Sequence, residues 1–155
     1  MSGWYGKVTA DPDDLSPLID CMAYYEGELK QARVELKVEG RIELIAAKLP
    51  GLSEFRFNQL QEIEAILRYL NIRFDKAKGK AHRFYMEGYN RALTSRDAEK
   101  YADCDDDVLS AALLVNQMAL LRNKYLGVMK GLDALNFQIG HIVRLRVAGI
   151  EDASL

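Results

Sequence analysis

Apolar side chains recur along most of this chain in steps of three and four, the spacing that lines one face of an α-helix. A first stripe runs through Leu15, Leu18, Met22, Tyr25, Leu29, Ala32 and Leu36, then slips phase to Val38, Ile42, Ile45 and Leu49. The acidic lead-in Asp11, Asp13 and Asp14, with Ser16 as N-cap and Pro17 at the first helical position, predicts a helix start near residue 16. Pro50 and Gly51 predict its end near Leu49, and the phase slip predicts a packing face that rotates or bends on the way. Ser53 opens a second predicted helix with the stripe Leu60, Ile63, Leu67, Leu70, Phe74 and Ala77, fading at Gly79 or soon after. Residues 81–93 read as an irregular or broken helix, since Gly88 costs a helix about 1 kcal/mol relative to Ala. A short helix after Ser95 or Arg96, ending near Tyr101, leads into the acidic loop ADCDDD.

The last segment is the most regular. From about Asp106 to Ala148, with Asp105 or a neighbour as cap and Gly149 as terminator, only Gly127, Gly131 and Gly140 weaken a helix of about 64 Å. Its stripe is Leu114, Met118, Leu121, Tyr125, Val128, Leu132, Leu135, Ile139 and Ile142, with alternating steps of four and three that make a heptad seam. A bundle core inside one chain accounts for much of that stripe. The run VLSAALLVNQMALL, however, is apolar at eleven of fourteen positions, too many for one face, which favours a symmetric oligomer as part of the cover. The predicted fold class is therefore all-α, with long antiparallel helices assembling into a homo-oligomer. One domain over residues 1–155 would comprise N-terminal helices at about 16–94, carrying a basic segment at 68–96, and an oligomerisation helix at about 105–149.

Composition narrows the chemistry. At 155 residues, 49% hydrophobic and 28% charged with 3 Pro, the chain has the size and balance of one folded, soluble domain. Its longest apolar runs, Cys21 to Tyr25 and Ala111 to Val115, fall far short of the roughly 20 residues of a membrane span, so no membrane partner is expected. The start of the chain shows no export or lipid signal, which makes the cytoplasm the expected address, a host cell's if the chain is phage-encoded. With only Cys21, Cys104, His82 and His141, a zinc site would need all four to converge, and no Glu stands three residues before either histidine as di-metal bundles require. Phosphate-binding and nucleophile motifs are absent too, so the expectation is no enzyme, no metal and no cofactor.

Charge changes the picture more. The net charge of −2 conceals a segregation: residues 68–96 hold Arg68, Arg73, Lys76, Lys78, Lys80, Arg83, Arg91 and Arg96 against Asp75 and Glu87, a local +6 that leaves −8 elsewhere. Tyr69, Phe74, Phe84, Tyr85 and Tyr89 are interleaved with these cations. Positive charge serves phosphates and flat rings serve unstacked bases, so Arg68, Arg73, Lys76, Lys78, Lys80, Arg83, Tyr85 and Arg91 form a candidate DNA-binding set. The plainer reading of such a run is a solvated helix face, with Phe74 in the core stripe. In the acidic block Asp97, Glu99, Asp103, Asp105, Asp106 and Asp107 the last three aspartates read as capping and stabilising the long helix, and in an oligomer the block could repel DNA from the wrong surface or dock a basic partner.

Three pieces of sequence then line up with a known family. They are IEA at 63–65 followed by RFDKAKG at 73–79, ALTS at 92–95, and FQIGHIVRLR at 137–146 followed by Ala148 and Gly149. In these, over residues 63–149, the chain resembles the UvsY recombination mediators of T-even-like bacteriophages. The resemblance implies a helical, ring-forming, non-enzymatic protein that binds single-stranded DNA and helps a RecA-like recombinase displace single-strand-binding protein. It also implies that the C-terminal region assembles the ring. The family's Lys-X-Arg-X-Asp motif falls on Asn71, Arg73 and Asp75, so its lysine is lost; Arg73 carries over, and Lys76, Lys78, Lys80 and Arg83 would share the work. The competing expectation is a coiled-coil structural or adaptor oligomer whose basic segment binds an acidic protein partner.

Overall fold

The computed structural model describes residues 3–37 and 40–150, which form helices and turns with no strand among them. The helices are α1 (Trp4–Ala10), α2 (Ser16–Glu35), α3 (Ile42–Arg83), α4 (Ser95–Asp103) and α5 (Asp106–Val147), and α3 runs on into a π-helical turn at Phe84–Gly88. None of the described helices is long and apolar enough to cross a membrane. The frame is the pair α3 and α5, each 42 residues and about 63 Å long. They run antiparallel, as the ion pairs Glu43–Arg146 (3.8 Å) at one end and Glu64–Arg122 (3.0 Å) near the middle show. α2 lies in the groove between them, antiparallel to α3, and α4 takes the third position at the far end.

Two 42-residue helices can be stable only if their apolar stripes are covered along the whole length. Met118, Leu121, Tyr125, Val128, Leu132, Leu135, Ile139 and Ile142 are all buried within the chain, and Leu114 packs at their edge. Opposite them lie Ile42, Leu49, Leu60, Ile63, Ile66 and Leu70 of α3 and Leu18, Cys21, Tyr25, Leu29 and Ala32 of α2. At about 1.5–3 kcal/mol for each large side chain removed from water, this stripe is the main source of cohesion. It also corrects the expected oligomer seam: those nine positions face α2 and α3 of the same molecule, so they are a bundle core rather than a surface offered to another copy.

The first helix boundary also differs from expectation. α2 ends at Glu35, the chain turns before Ile42 through Gly40 at φ +118°, and α3 passes straight through Pro50 and Gly51. The phase slip thus marks a reversal of the chain, with Val38 outside the described residues, and Ser53 lies inside a helix rather than at its start. Pro50 is tolerated because it and Ala46, whose carbonyl loses its donor, both sit on the exposed side, while Ile42 and Leu49 hold the inner side against α5. The N-cap of α2 is Leu15 rather than Ser16, without a side-chain cap, and just ahead of it the Asp14 carboxylate accepts the Ser16 N–H at 2.9 Å, which lowers the Asp14 pKa. α5 follows the pattern, with Asp105 accepting the Asp107 N–H at 3.1 Å and Gly149 at φ +89° beyond its end.

A polar network joins the helices inside this core. Arg56 is only 1% exposed. Its Nε and Nη2 donate to Glu35 at 2.9 and 2.6 Å, and its Nη1 to Glu28 at 2.8 Å and to Gln59 at 2.9 Å. Gln59 donates in turn to Glu28 at 2.8 Å, so every group in the cluster is partnered. One step along, Glu62 accepts the Tyr25 hydroxyl at 2.6 Å and the Tyr5 backbone N–H at 2.9 Å, which fastens the N-terminus of α1 to α3. Trp4 then packs on Tyr24 with ring centroids 5.5 Å apart. The Tyr125 hydroxyl donates to the Tyr25 carbonyl at 3.2 Å, linking α5 to α2.

Removing Arg56 leaves the partly buried carboxylates of Glu28 and Glu35 without their cation, at a cost of up to about 3–5 kcal/mol. Arg56→Met should therefore lower the unfolding free energy by about that amount in urea titrations followed by helical circular dichroism. Replacing Glu28, Glu35, Arg56 and Gln59 together by apolar residues of similar size should recover most of the loss. A loss below about 1 kcal/mol for Arg56→Met would contradict the network's role.

Candidate nucleic-acid interface

The basic segment sits on the last turns of α3, the π-helical turn and the loop beyond it. At about 100° per residue, Arg68, Arg73, Lys76, Lys80 and Arg83 fall within an arc of about 140°. That arc is turned away from the side carrying Ile63, Leu70 and Ala81, which is buried. Arg68, Lys76, Lys80, Arg83 and, in the loop, Arg91 are exposed, and none of them forms an ion pair within the described residues. Arg73 is half-buried with its guanidinium 6.0 Å from the centre of the Tyr69 ring. Ile72 lies exposed among these cations. The face therefore offers separated positive charges on a rigid helix, with about 1.5 Å of rise per residue.

Lys78 does not belong to it. It lies on the opposite side of α3, where its ammonium meets Asp103 at 2.8 Å and Glu99 at 3.8 Å on α4. The hydrogen bond and charge of Asp103 raise its pKa above the ordinary lysine value. Part of the acidic block is thus used to dock α4, by an ion pair and by a small apolar contact of Ala102 with Ala81 and Val108. Asn71, which stands where the resembled motif has lysine, turns back on its own helix and donates to the Leu67 carbonyl at 3.0 Å.

Tyr85 is held differently from the cations. It is half-buried beside Ala81, Ala102 and Val108, and its ring contacts Phe84, Tyr89 and Tyr101 at 5.3, 5.6 and 5.5 Å. Burial first, and the charge of Asp105 next, raise its pKa. The π-helical turn is what brings these rings together: one extra residue per turn rotates Phe84 and Tyr85 out of the α-helical register of α3. Tyr101 comes from α4, whose start is fixed by Thr94: its hydroxyl donates to the Asp97 carboxylate at 2.7 Å and accepts the Asp97 N–H at 3.2 Å.

Among the described residues, no group of three or more His, Cys, Asp and Glu side chains is arranged to hold a metal ion. Cys21 is fully buried, and its thiol is pushed up to about 12 by burial and by the charge of Glu62, so it stays protonated; Cys104 is exposed. No family model, no curated protein and no solved structure matches this chain.

The position of Lys78 yields a test. Asp103→Asn removes its main partner and one negative charge from the flank opposite the basic face, so long-range repulsion of a polyanionic strand falls and affinity should rise, by no more than about fivefold. An affinity that falls, with α4 intact by circular dichroism, would show that the Lys78 pair helps to build the face.

Proposed function

We propose that this chain is a non-enzymatic single-stranded DNA-binding protein that acts as a recombination mediator, helping a RecA-like recombinase to take the place of single-strand-binding protein. The observation that carries the reading is the row of cations Arg68, Lys76, Lys80 and Arg83, which form no ion pair among the described residues, on one outward face of a rigid helix, continued by Arg91. Phosphates supply most of the affinity for such a surface, and each neutralised phosphate releases counterions. Binding should thus be sensitive to salt and nearly indifferent to sequence, as suits a protein that must act on any strand. The resemblance over residues 63–149 supplies the biological setting.

A mediator that handles a long strand gains from several copies, because weak contacts to one strand add through effective concentration. The described surface offers a face for self-association distinct from the buried seam. Leu109, Leu113, Asn116 and Leu120 stand on the outward side of α5 in steps of four, three and four, with Leu113 62% and Leu120 57% exposed, and Ile19 of α2 exposed nearby. Asp105, Asp106 and Asp107 lie at one end of this stripe, and beyond the other lie Lys124, which also meets Glu26 of its own chain at 3.8 Å, and Lys130, so two copies in antiparallel alignment would set acid against base. The same stripe favours the second reading, an adaptor oligomer that binds an acidic protein, which predicts self-association without appreciable affinity for DNA.

Fluorescence anisotropy of a labelled mixed-sequence oligonucleotide separates the two. The mediator reading predicts tight binding at low salt that weakens as salt rises and exceeds duplex binding. Replacing Arg68, Lys76, Lys80 and Arg83 by Glu should weaken it by about a hundredfold or more, while absence of binding at low salt would refute the reading. In sedimentation, Leu113→Glu with Leu120→Glu should reduce the particle mass while the helix signal survives. An unchanged mass would remove this stripe as the interface.

A further inference from the structure

Beyond the cation row, the end of the bundle carries a cluster of four aromatic rings that the fold does not need as core. Phe84 (55% exposed), Tyr89 (42%) and Tyr101 (48%) gather around Tyr85, which is half-buried and packs against buried Ala81, Ala102 and Val108. Tyr85 and Tyr101 are stacked at 5.5 Å with planes 28° apart, and Tyr89 lies 5.9 Å from Tyr101 at 33°. Phe84 meets Tyr85 edge-on at 75°. Gly88 allows Phe84 to lie close over the turn, since a Cβ there would stand 3.2 Å from the Phe84 ring. Three separate segments, the π-helical turn, the loop after it and α4, thus converge to gather these rings at the surface. Large exposed aromatic area of this kind is costly in water and marks a contact surface.

We infer that this cluster is a stacking site for unpaired nucleobases, with Tyr89, Tyr101 and Phe84 as the platform and Tyr85 as its support. The inference rests on the proposed binding of single-stranded DNA and assigns the bases a place of their own, apart from the phosphate-binding row. The charge around the rings fits a strand better than a peptide. Arg83 immediately precedes Phe84, Arg91 follows Tyr89 by two residues, and Arg96 lies in the first turn of α4; all three are exposed. Of the carboxylates near the cluster, Glu99 and Asp103 are taken up by Lys78 and Asp105 caps α5, which leaves Glu87, exposed in the π-helical turn itself, against the three arginines. A strand following the outward row of α3 toward its C-terminal end would reach the rings by way of Arg83, with phosphates toward the arginines and bases toward the tyrosines. Stacking needs only a flat face, so it adds affinity without adding sequence preference.

The test separates bases from backbone. Wild-type protein is titrated with an oligothymidylate and with an abasic oligonucleotide of the same length and charge. The oligothymidylate should bind about tenfold tighter or more, and Tyr89→Leu combined with Tyr101→Leu should abolish that difference while leaving the abasic affinity unchanged. Leucine keeps the site apolar and both positions are exposed, so the fold should survive; circular dichroism checks this, and Phe84→Leu provides a second variant. Equal affinity for the two oligonucleotides, or a difference that persists in the leucine variants, would overturn the stacking site while leaving the phosphate row standing. If neither oligonucleotide binds, the reading of the chain as a DNA-binding protein fails and the stacking site falls with it.

Discussion

A guanidinium withdrawn from water must have its charge and its donors answered, and the answer given to Arg56 organises this molecule. Its fork reaches Glu35 with two hydrogen bonds and Glu28 with one, and Gln59 closes the set. These contacts match one registry of α2 on α3, since sliding by a single turn would break the hydrogen bonds of the buried guanidinium to Glu28 and Glu35. Apolar stripes alone are more forgiving, because leucines at heptad spacing can interlock in several registers. The buried ion cluster fixes the alignment, and the surrounding leucines, isoleucines and tyrosines supply the cohesion. Glu62 extends the same logic to α1 and, through Tyr25, to Tyr125 of α5.

The outward features follow from that alignment. With α2 covering the middle of the α3–α5 pair, the last turns of α3 extend beyond it and find α4 as their third neighbour. α4 docks by its acidic side on Lys78, so negative charge collects on one flank and the cations on the outer face of α3 form no ion pair among the described residues. On the proposed reading, this separation is the functional device: one flank repels a phosphate chain, the other attracts it, and the aromatic end gives the bases somewhere to lie. Rigidity matters as much as charge. Cations on a long helix have their spacing set in advance, so less ordering is required when a strand binds.

Much of the fold was legible in the sequence, and what was not has definite physical causes. The all-helical character, the span and cap of α5 and the irregularity after residue 81 could all be read from periodicity and turn chemistry. Pro50 misled because local propensity at a proline was overruled by Ile42 and Leu49 packing on α5. The reversal shows in the sequence as a phase slip, a signal that a rotated or bent packing face would give equally. The heptad of α5 was legible as a pattern but not in its destination, since an intramolecular bundle and an oligomer use the same spacing. Arg56 stands four residues before Leu60, in phase with Leu60, Ile63, Leu67 and Leu70, so a charged residue on an apolar stripe was the available sign of the buried network. In the candidate site, the wheel positions of Arg68, Arg73, Lys76, Lys80 and Arg83 could be deduced, whereas the capture of Lys78 by Asp103 and the arrival of Tyr101 beside Tyr85 depend on how α4 folds back.

The account's central claim is that the outward face of the last turns of α3 is the surface that meets the strand. Lysine acetylation footprinting of the intact protein, read residue by residue with and without single-stranded DNA, tests it most directly. The account predicts protection of Lys76 and Lys80 on binding, with the reactivity of Lys48 and Lys130 unchanged. Protection of Lys48 or Lys130 with Lys76 and Lys80 still fully reactive would contradict it.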